Sequence, residues 1–263
     1  MDLNVDREMV ARSLAEKLSG HGKCPIPFTH DRLQELHYWW HELARNYHEP
    51  DPFRWSIGAF VQAARSITFM LQKEKSVFPE FGWYEEWASK ARENVLLKWL
   101  HDTRTDVVHH QALEPHSWLE IRCIGNPSQG HGDEEDPFRF KANPFACTHR
   151  YIQLGPWTDH GHEFVRHWSM EGLNDREFLD AAGEIYDQLD SLVVEAHRQI
   201  KHGMTATTGT GSPGKGSKRA VICMEETDRP RTARTVVQDG KEVWIDEPPG
   251  LHTEQEKSGL TRP

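Results

Sequence analysis

Leu179, Ala182, Ile185, Tyr186, Leu189, Leu192, Val193, Ala196 and Ile200 fall at the three- and four-residue spacing of a single helical face. The stripe predicts one amphipathic helix of about seven turns over residues 174–201. Asn174 and Glu177 have the form of a capping box at its start, the asparagine on a first-turn amide and the glutamate reaching back. A helix with so long an apolar face is stable only against partners of the same kind, so the remainder of the chain must supply them.

It does. Residues 6–18 carry Met9, Val10, Leu14 and Leu18 on a short amphipathic helix that GHGKCPIP interrupts. A second helix is expected after Thr29 as N-cap, with Leu33, Leu36, Trp40, Leu43, Ala44 and Tyr47 on one face. Asp51-Pro52 is a start signal for a third, which runs to about Lys75. A fourth follows the break at Phe78-Pro79, presents Trp83, Trp87, Ala91, Leu96, Trp99 and Leu100, continues through Val107 and Val108, and closes at Pro115. The segments WLEIRCI and HRYIQL read as short strands on either side of the turn-rich NPSQGHGDEEDP.

The expected fold is therefore mainly α: a helical bundle over residues 1–202, with a small strand-containing insertion at about 116–170 and a flexible C-terminal tail. Residues 203–218, GMTATTGTGSPGKGSK, have almost nothing to bury and read as a flexible linker. In the tail, 219–263, Asp239-Gly240 lies between β-prone runs as a two-residue hairpin turn. A lone hairpin is marginal in water and orders by docking on the body of the protein or on a partner.

Net charge is −10 with histidine neutral, which argues against a pervasive nucleic-acid surface and leaves RNA only a local patch. Cys24, Cys123, Cys147 and Cys223 form no C-x-x-C pair, so reduced thiols are the simpler reading. The first residues lack the basic and apolar regions of a secretory signal, and no apolar run approaches the roughly 18 residues of a membrane span. A cytoplasmic protein is expected, with no membrane contact and no cofactor.

Three groups of residues have chemical potential. The first is RTDVVH, Arg104 to His109, followed by His110, near the end of the fourth helix. On an unbroken helix Arg104 and His109 stand about 140° apart, whereas Thr105 with His109 and Asp106 with His110 are i, i+4 neighbours. A histidine of near-neutral pKa moves the proton of a ribose 2′-hydroxyl or leaving oxygen, and an arginine stabilises a phosphorane, so such a set suits metal-free RNA cleavage. The same residues are also what a helix C-terminus attracts, and Arg32 to His37 has the same spacing. The second group is His37 and His41, with His48 or Glu42 as further ligands of a divalent metal. The third is TDHGHE, where His160 and His162 would share a face on a strand, although Gly161 favours a loop.

The bundle with R-x-x-x-x-H near the end of a long helix resembles the HEPN superfamily. The similarity lies in residues 51–113, AFVQAARSITFMLQKE leading into KWLHDTRTDVVHHQ, with the final helix completing the bundle. That resemblance implies an endoribonuclease of toxin or antiviral-defence type, with Arg104 and His109 catalytic in a cleft that two protomers build as a homodimer. Where the family commonly has Asn, Asp or His after the arginine this chain has Thr105, with Asp106 and His110 as nearby polar substitutes. The alternative is a noncatalytic helical subunit of a multiprotein assembly, its tail docking on a protein partner.

Overall fold

The computed structural model describes residues 24–109, 113, 115–124, 138–148, 150–151, 161–200, 232–238 and 241–246. Helices predominate. Five α-helices occur among the described residues: α1 Pro27–Arg45, α2 Pro50–Lys73, α3 Gly82–Glu93, α4 Val95–His109 and α5 Phe178–Gln199. A 3₁₀ turn, Lys75–Val77, follows α2. Five strands, β1 His116–Ile124, β2 Phe138–Ala142, β3 Gly161–Ser169, β4 Thr232–Gln238 and β5 Lys241–Asp246, form one antiparallel sheet in the order β2-β1-β3-β4-β5. The expected helix at 6–18, the linker at 203–218 and the turn at Asp239-Gly240 lie outside the described residues.

Helix starts differ from the sequence expectation in instructive ways. α1 begins at Pro27, whose fixed φ suits a first turn, so Thr29 lies inside the helix and is not its N-cap. The open amides of Phe28 and Thr29 each donate to the Glu74 carboxylate at 3.0 Å, and the Thr29 hydroxyl donates to it at 2.6 Å. The cap thus comes from the far end of α2. The single long helix expected from Trp83 onward is two, because Asn94 is extended (ψ 123°) and its Oδ1 accepts from the Leu96 and Leu97 amides, both at 3.0 Å. α5 starts at Phe178, four residues after Asn174. Asn174 and Asp175 instead adopt positive φ (52° and 56°) in the turn from β3, and Glu177 itself caps by accepting from Leu179 N at 3.3 Å.

Apolar stripes explain the packing. α1 packs on α2 and α5, and α4 on α2, α3 and α5. The α5 residues Leu179, Ala182, Ile185, Tyr186, Leu189, Leu192, Val193 and Ala196 are all buried in one core with Leu33, Leu36 and Leu43 of α1 and Phe53, Ile57 and Phe60 of α2. Gly183 lets α1 and α5 approach closely, since a Cβ there would lie 3.0 Å from Cζ2 of Trp40. The positive φ of Gly172 (82°) serves the β3–α5 turn, over which Trp99 Nε1 donates to Glu171 O at 2.9 Å.

The sheet has its own apolar cluster, Leu119, Ile121, Ala142, Phe164 and Ala233, with Phe140 and Tyr151 against it. HRYIQL is not a strand at its described positions: Arg150 and Tyr151 are helical, Arg150 N donating to Cys147 O, while the Tyr151 hydroxyl accepts from Asn143 N. β3 joins the two cores. On its inward face Phe164 belongs to the sheet cluster and Trp168 to the helical core, where it stacks on Phe53 at 4.7 Å. Between them lies Arg166, fully buried.

The Arg166 guanidinium donates to Ser117 Oγ, Ala146 O, His48 O, Thr148 Oγ1 and Asn143 O at 2.9–3.4 Å and lies 4.1 Å above the Trp168 ring. Those acceptors belong to the turn between α1 and α2, to β1 and to the segment after β2, so one side chain gathers three parts of the fold. Burial pushes its pKa down to about 10. Two further bonds fasten the turn after α1 to β3: Tyr47 Oη donates to Arg166 O at 2.9 Å, and Trp168 Nε1 donates to Tyr47 O at 2.8 Å.

β4 pairs with β3, Thr232–Thr235 opposite Val165–His162, and β5 returns along β4 with Gln238 opposite Lys241. The hairpin therefore docks on the body of the protein as the fourth and fifth strands of the sheet. Ala233 is fully buried at that junction.

Candidate functional site

α4 carries Arg104, Thr105, Asp106 and His109 on continuous helix, and His110 lies outside the described residues. The helix is anchored by Leu96, Leu97, Trp99, Leu100 and Thr103, all buried. Its outward side holds Lys98, His101 and Asp102. Lys98 Nζ donates to Asp102 Oδ2 at 2.6 Å and His101 Nδ1 lies 3.3 Å from Asp102 Oδ1. Hydrogen bonds from Lys98 and then His101 hold the Asp102 carboxyl below the usual range. Because the helix is unbroken from Val95 to His109, backbone positions 104 and 109 keep an angular separation of about 140° and an axial one of about 7.5 Å. The two positions flank the row that His101 begins, with Arg104 about 60° to one side and His109 about 80° to the other.

His101 opens onto a cleft of about 980 Å³ between α2, α3 and α4. Arg65, Lys75, Arg92, Lys98 and His101 line it, with Glu85 and Asp102 as its acids and Phe81, Tyr84 and Trp87 as its aromatic wall. Arg65, Lys75, Arg92 and Lys98 outnumber the two carboxylates, in a chain whose net charge is −10. A locally cationic, aromatic-walled groove suits a single nucleic-acid strand: the cations meet phosphates and the rings offer stacking surfaces.

Arg32 is committed to Glu35, which leaves the equally spaced Arg32-to-His37 pair without a shared site. His37 and His41 do meet, Nε2 to Nε2 at 3.2 Å, beside Trp40 and Tyr186. Burial, and then the second ring, pushes the His37 pKa down to about 4; burial first and Arg45 next lower that of His41. His48 takes no part. It is buried elsewhere with Nδ1 2.9 Å from Thr148 Oγ1, and Glu42 is engaged with Arg45.

In TDHGHE, Asp159 and His160 lie outside the described residues. Gly161, His162 and Glu163 are not loop but the start of β3, with His162 buried and Glu163 3.7 Å from Arg122. Cross-strand pairing with β1 on one side and β4 on the other overrides the turn preference of the glycine.

A constellation that sequence spacing does not reveal joins Cys24, His30 and His197. Cys24 Sγ lies 3.6 Å from His30 Nδ1 and 3.3 Å from His197 Nε2. Burial pushes the Cys24 thiol pKa up. Only the i, i+6 spacing of Cys24 and His30 was visible in the sequence, since His197 stands 173 residues from Cys24.

Among the described residues no helix is long and apolar enough to cross a membrane. A family model described as bacteriophage lambda protein ea47 matches residues 18–259 of the chain. No curated protein and no solved structure matches it.

Proposed function

The chain belongs to the bacteriophage lambda protein ea47 family, and we propose that it is a metal-independent endoribonuclease of the HEPN type. RNA would lie in the cationic cleft between α2, α3 and α4, which is the observation that supports the reading most directly. Lys98 and Arg92 meet the phosphates, and the half-buried Trp87 ring meets a base. His109 takes the proton of a ribose 2′-hydroxyl as its oxygen attacks the adjacent phosphorus. The bond from phosphorus to the 5′-oxygen breaks, that oxygen gains a proton, and a 2′,3′-cyclic phosphate remains. Arg104 stabilises the charge on the phosphorane, while Asp106 and His110 supply the polar role that Thr105 does not. A homodimer brings a second copy of the motif to the same cleft. The family description names a bacteriophage protein, which fits a toxin acting on host RNA better than a defence against phage.

The test compares cleavage of a mixed RNA pool by wild type, Arg104→Ala and His109→Ala. Each variant should lose at least about a hundredfold in rate with an unchanged far-UV circular dichroism spectrum. Full cleavage by both variants contradicts the assignment. A second reading, a noncatalytic subunit of an assembly, is favoured by the exposed Trp55 and Phe69 of α2 (69% and 54%), aromatic surface of the kind that partner proteins cover. Absence of cleavage of any RNA pool, together with one stoichiometric partner, selects it.

A further inference from the structure

We propose that Cys24, His30 and His197 form a transition-metal site, of zinc character, that clasps the beginning of the helical core to its end. Cys24 lies just before the N-cap Ile26 of α1, separated from it by Pro25, His30 lies in the first turn of α1, and His197 lies in the last turn of α5. All three ligand atoms are within 4.8 Å of one another. Tetrahedral zinc with Zn–S of about 2.3 Å and Zn–N of about 2.05 Å has S···N edges of about 3.6 Å. The observed sulfur-to-nitrogen separations are 3.6 and 3.3 Å, so the thiol already stands at the coordination spacing from both rings.

The surroundings orient the ligands. His197 Nδ1 donates to Val193 O at 2.9 Å, which fixes the tautomer and turns the Nε2 lone pair toward Cys24, the outer-shell arrangement that metal-binding imidazoles use. One thiolate with two imidazoles favours zinc or its chemical relatives over magnesium or calcium, which prefer oxygen. The two rings are only 4% and 3% exposed, and Cys24 is half-buried beside them. Binding replaces the S–H bond by an S–metal bond and releases one proton. Among the described residues these three side chains supply the ligands. The role is structural, since the metal joins chain segments 173 residues apart, and it is independent of the ribonuclease reading.

The full-length protein is stripped with a chelator, returned to chelator-free buffer and titrated with Co²⁺ under reducing conditions. One Co²⁺ per chain should bind, with a thiolate-to-cobalt charge-transfer band and the intense visible bands of a tetrahedral ion, both abolished by Zn²⁺. Cys24→Ser should lose the charge-transfer band, and His197→Ala should weaken binding at least tenfold. His37→Ala with His41→Ala should keep both. Zinc should also raise the thermal midpoint of wild type and not that of Cys24→Ser. A wild-type spectrum without a thiolate band overturns the site whatever the variants do, and so does a band that survives Cys24→Ser.

Discussion

Arg166 illustrates how one side chain can decide where several elements meet. Its neutral acceptors stand on the turn between α1 and α2, on β1 and on the segment after β2, and the cation is paid for by this full set of hydrogen bonds and by the Trp168 face. Arg166→Ala removes the shared donor of Ser117 Oγ and Ala146 O and empties a fully buried site against Trp168, and should cost on the order of 3 kcal/mol or more. Arg166→Lys should recover only part of that, because an ammonium cannot reproduce the planar fork. Urea unfolding midpoints measure both, and a loss below about 1 kcal/mol for the alanine variant would show that the network carries little. His37 makes a different prediction. Its pKa falls from the ordinary 6.5 to about 4 on folding. The unfolded chain therefore binds the proton first as pH drops, so the stability tied to this ring is complete above about pH 6.5 and is lost progressively down to pH 4. The pH dependence of the urea midpoint across that window should flatten in His37→Gln, and an unaltered slope would contradict its origin in this ring.

At the scale of elements, the close crossing of α1 and α5 at Gly183 is a point of no slack. Gly183→Leu must push Trp40 aside and should destabilise by about 1–3 kcal/mol, read as a lowered thermal midpoint. A midpoint equal to wild type would mean that the helices yield there. The long stripe of α5 and the apolar faces of α1 and α2 were legible because periodicity reports burial directly. The start of α2 was legible at Asp51-Pro52, but those of α1 and α5 were not. Glu74 caps a helix 45 residues away, a contact made only by folding. Asn94 was a readable signal, but the apolar spacing continued across it from Ala91 to Leu96 and masked the break. Asn174 lost the capping role to Glu177, whose carboxylate also accepts from Trp168 N and so answers to the sheet as well as to the helix.

Across the whole molecule, β3 is the seam. Phe164 faces the sheet core and Trp168 the helical core, and the hairpin of β4 and β5 is added to the edge of β3 from a distant part of the chain. Sequence alone indicated the hairpin from its flanking β-prone runs, but strand partners so far apart leave no local trace, so its place in the sheet was invisible. The same holds for the candidate sites. Arg104 and His109 were readable as a motif on one helix, and His37 with His41 as an i, i+4 pair. The cleft beside α4 required the approach of α2 and α3, and Cys24 meets His197 only when α1 and α5 pack. The most direct test of the RNA-cleaving reading is the chemistry of the product ends after incubation of a mixed RNA pool with purified wild-type protein in EDTA, with far-UV circular dichroism recorded in the same buffer. Fragments ending in 2′,3′-cyclic phosphate, absent with His109→Ala, are the predicted result; intact RNA with a folded wild-type protein, or fragments that His109→Ala produces equally well, would contradict it.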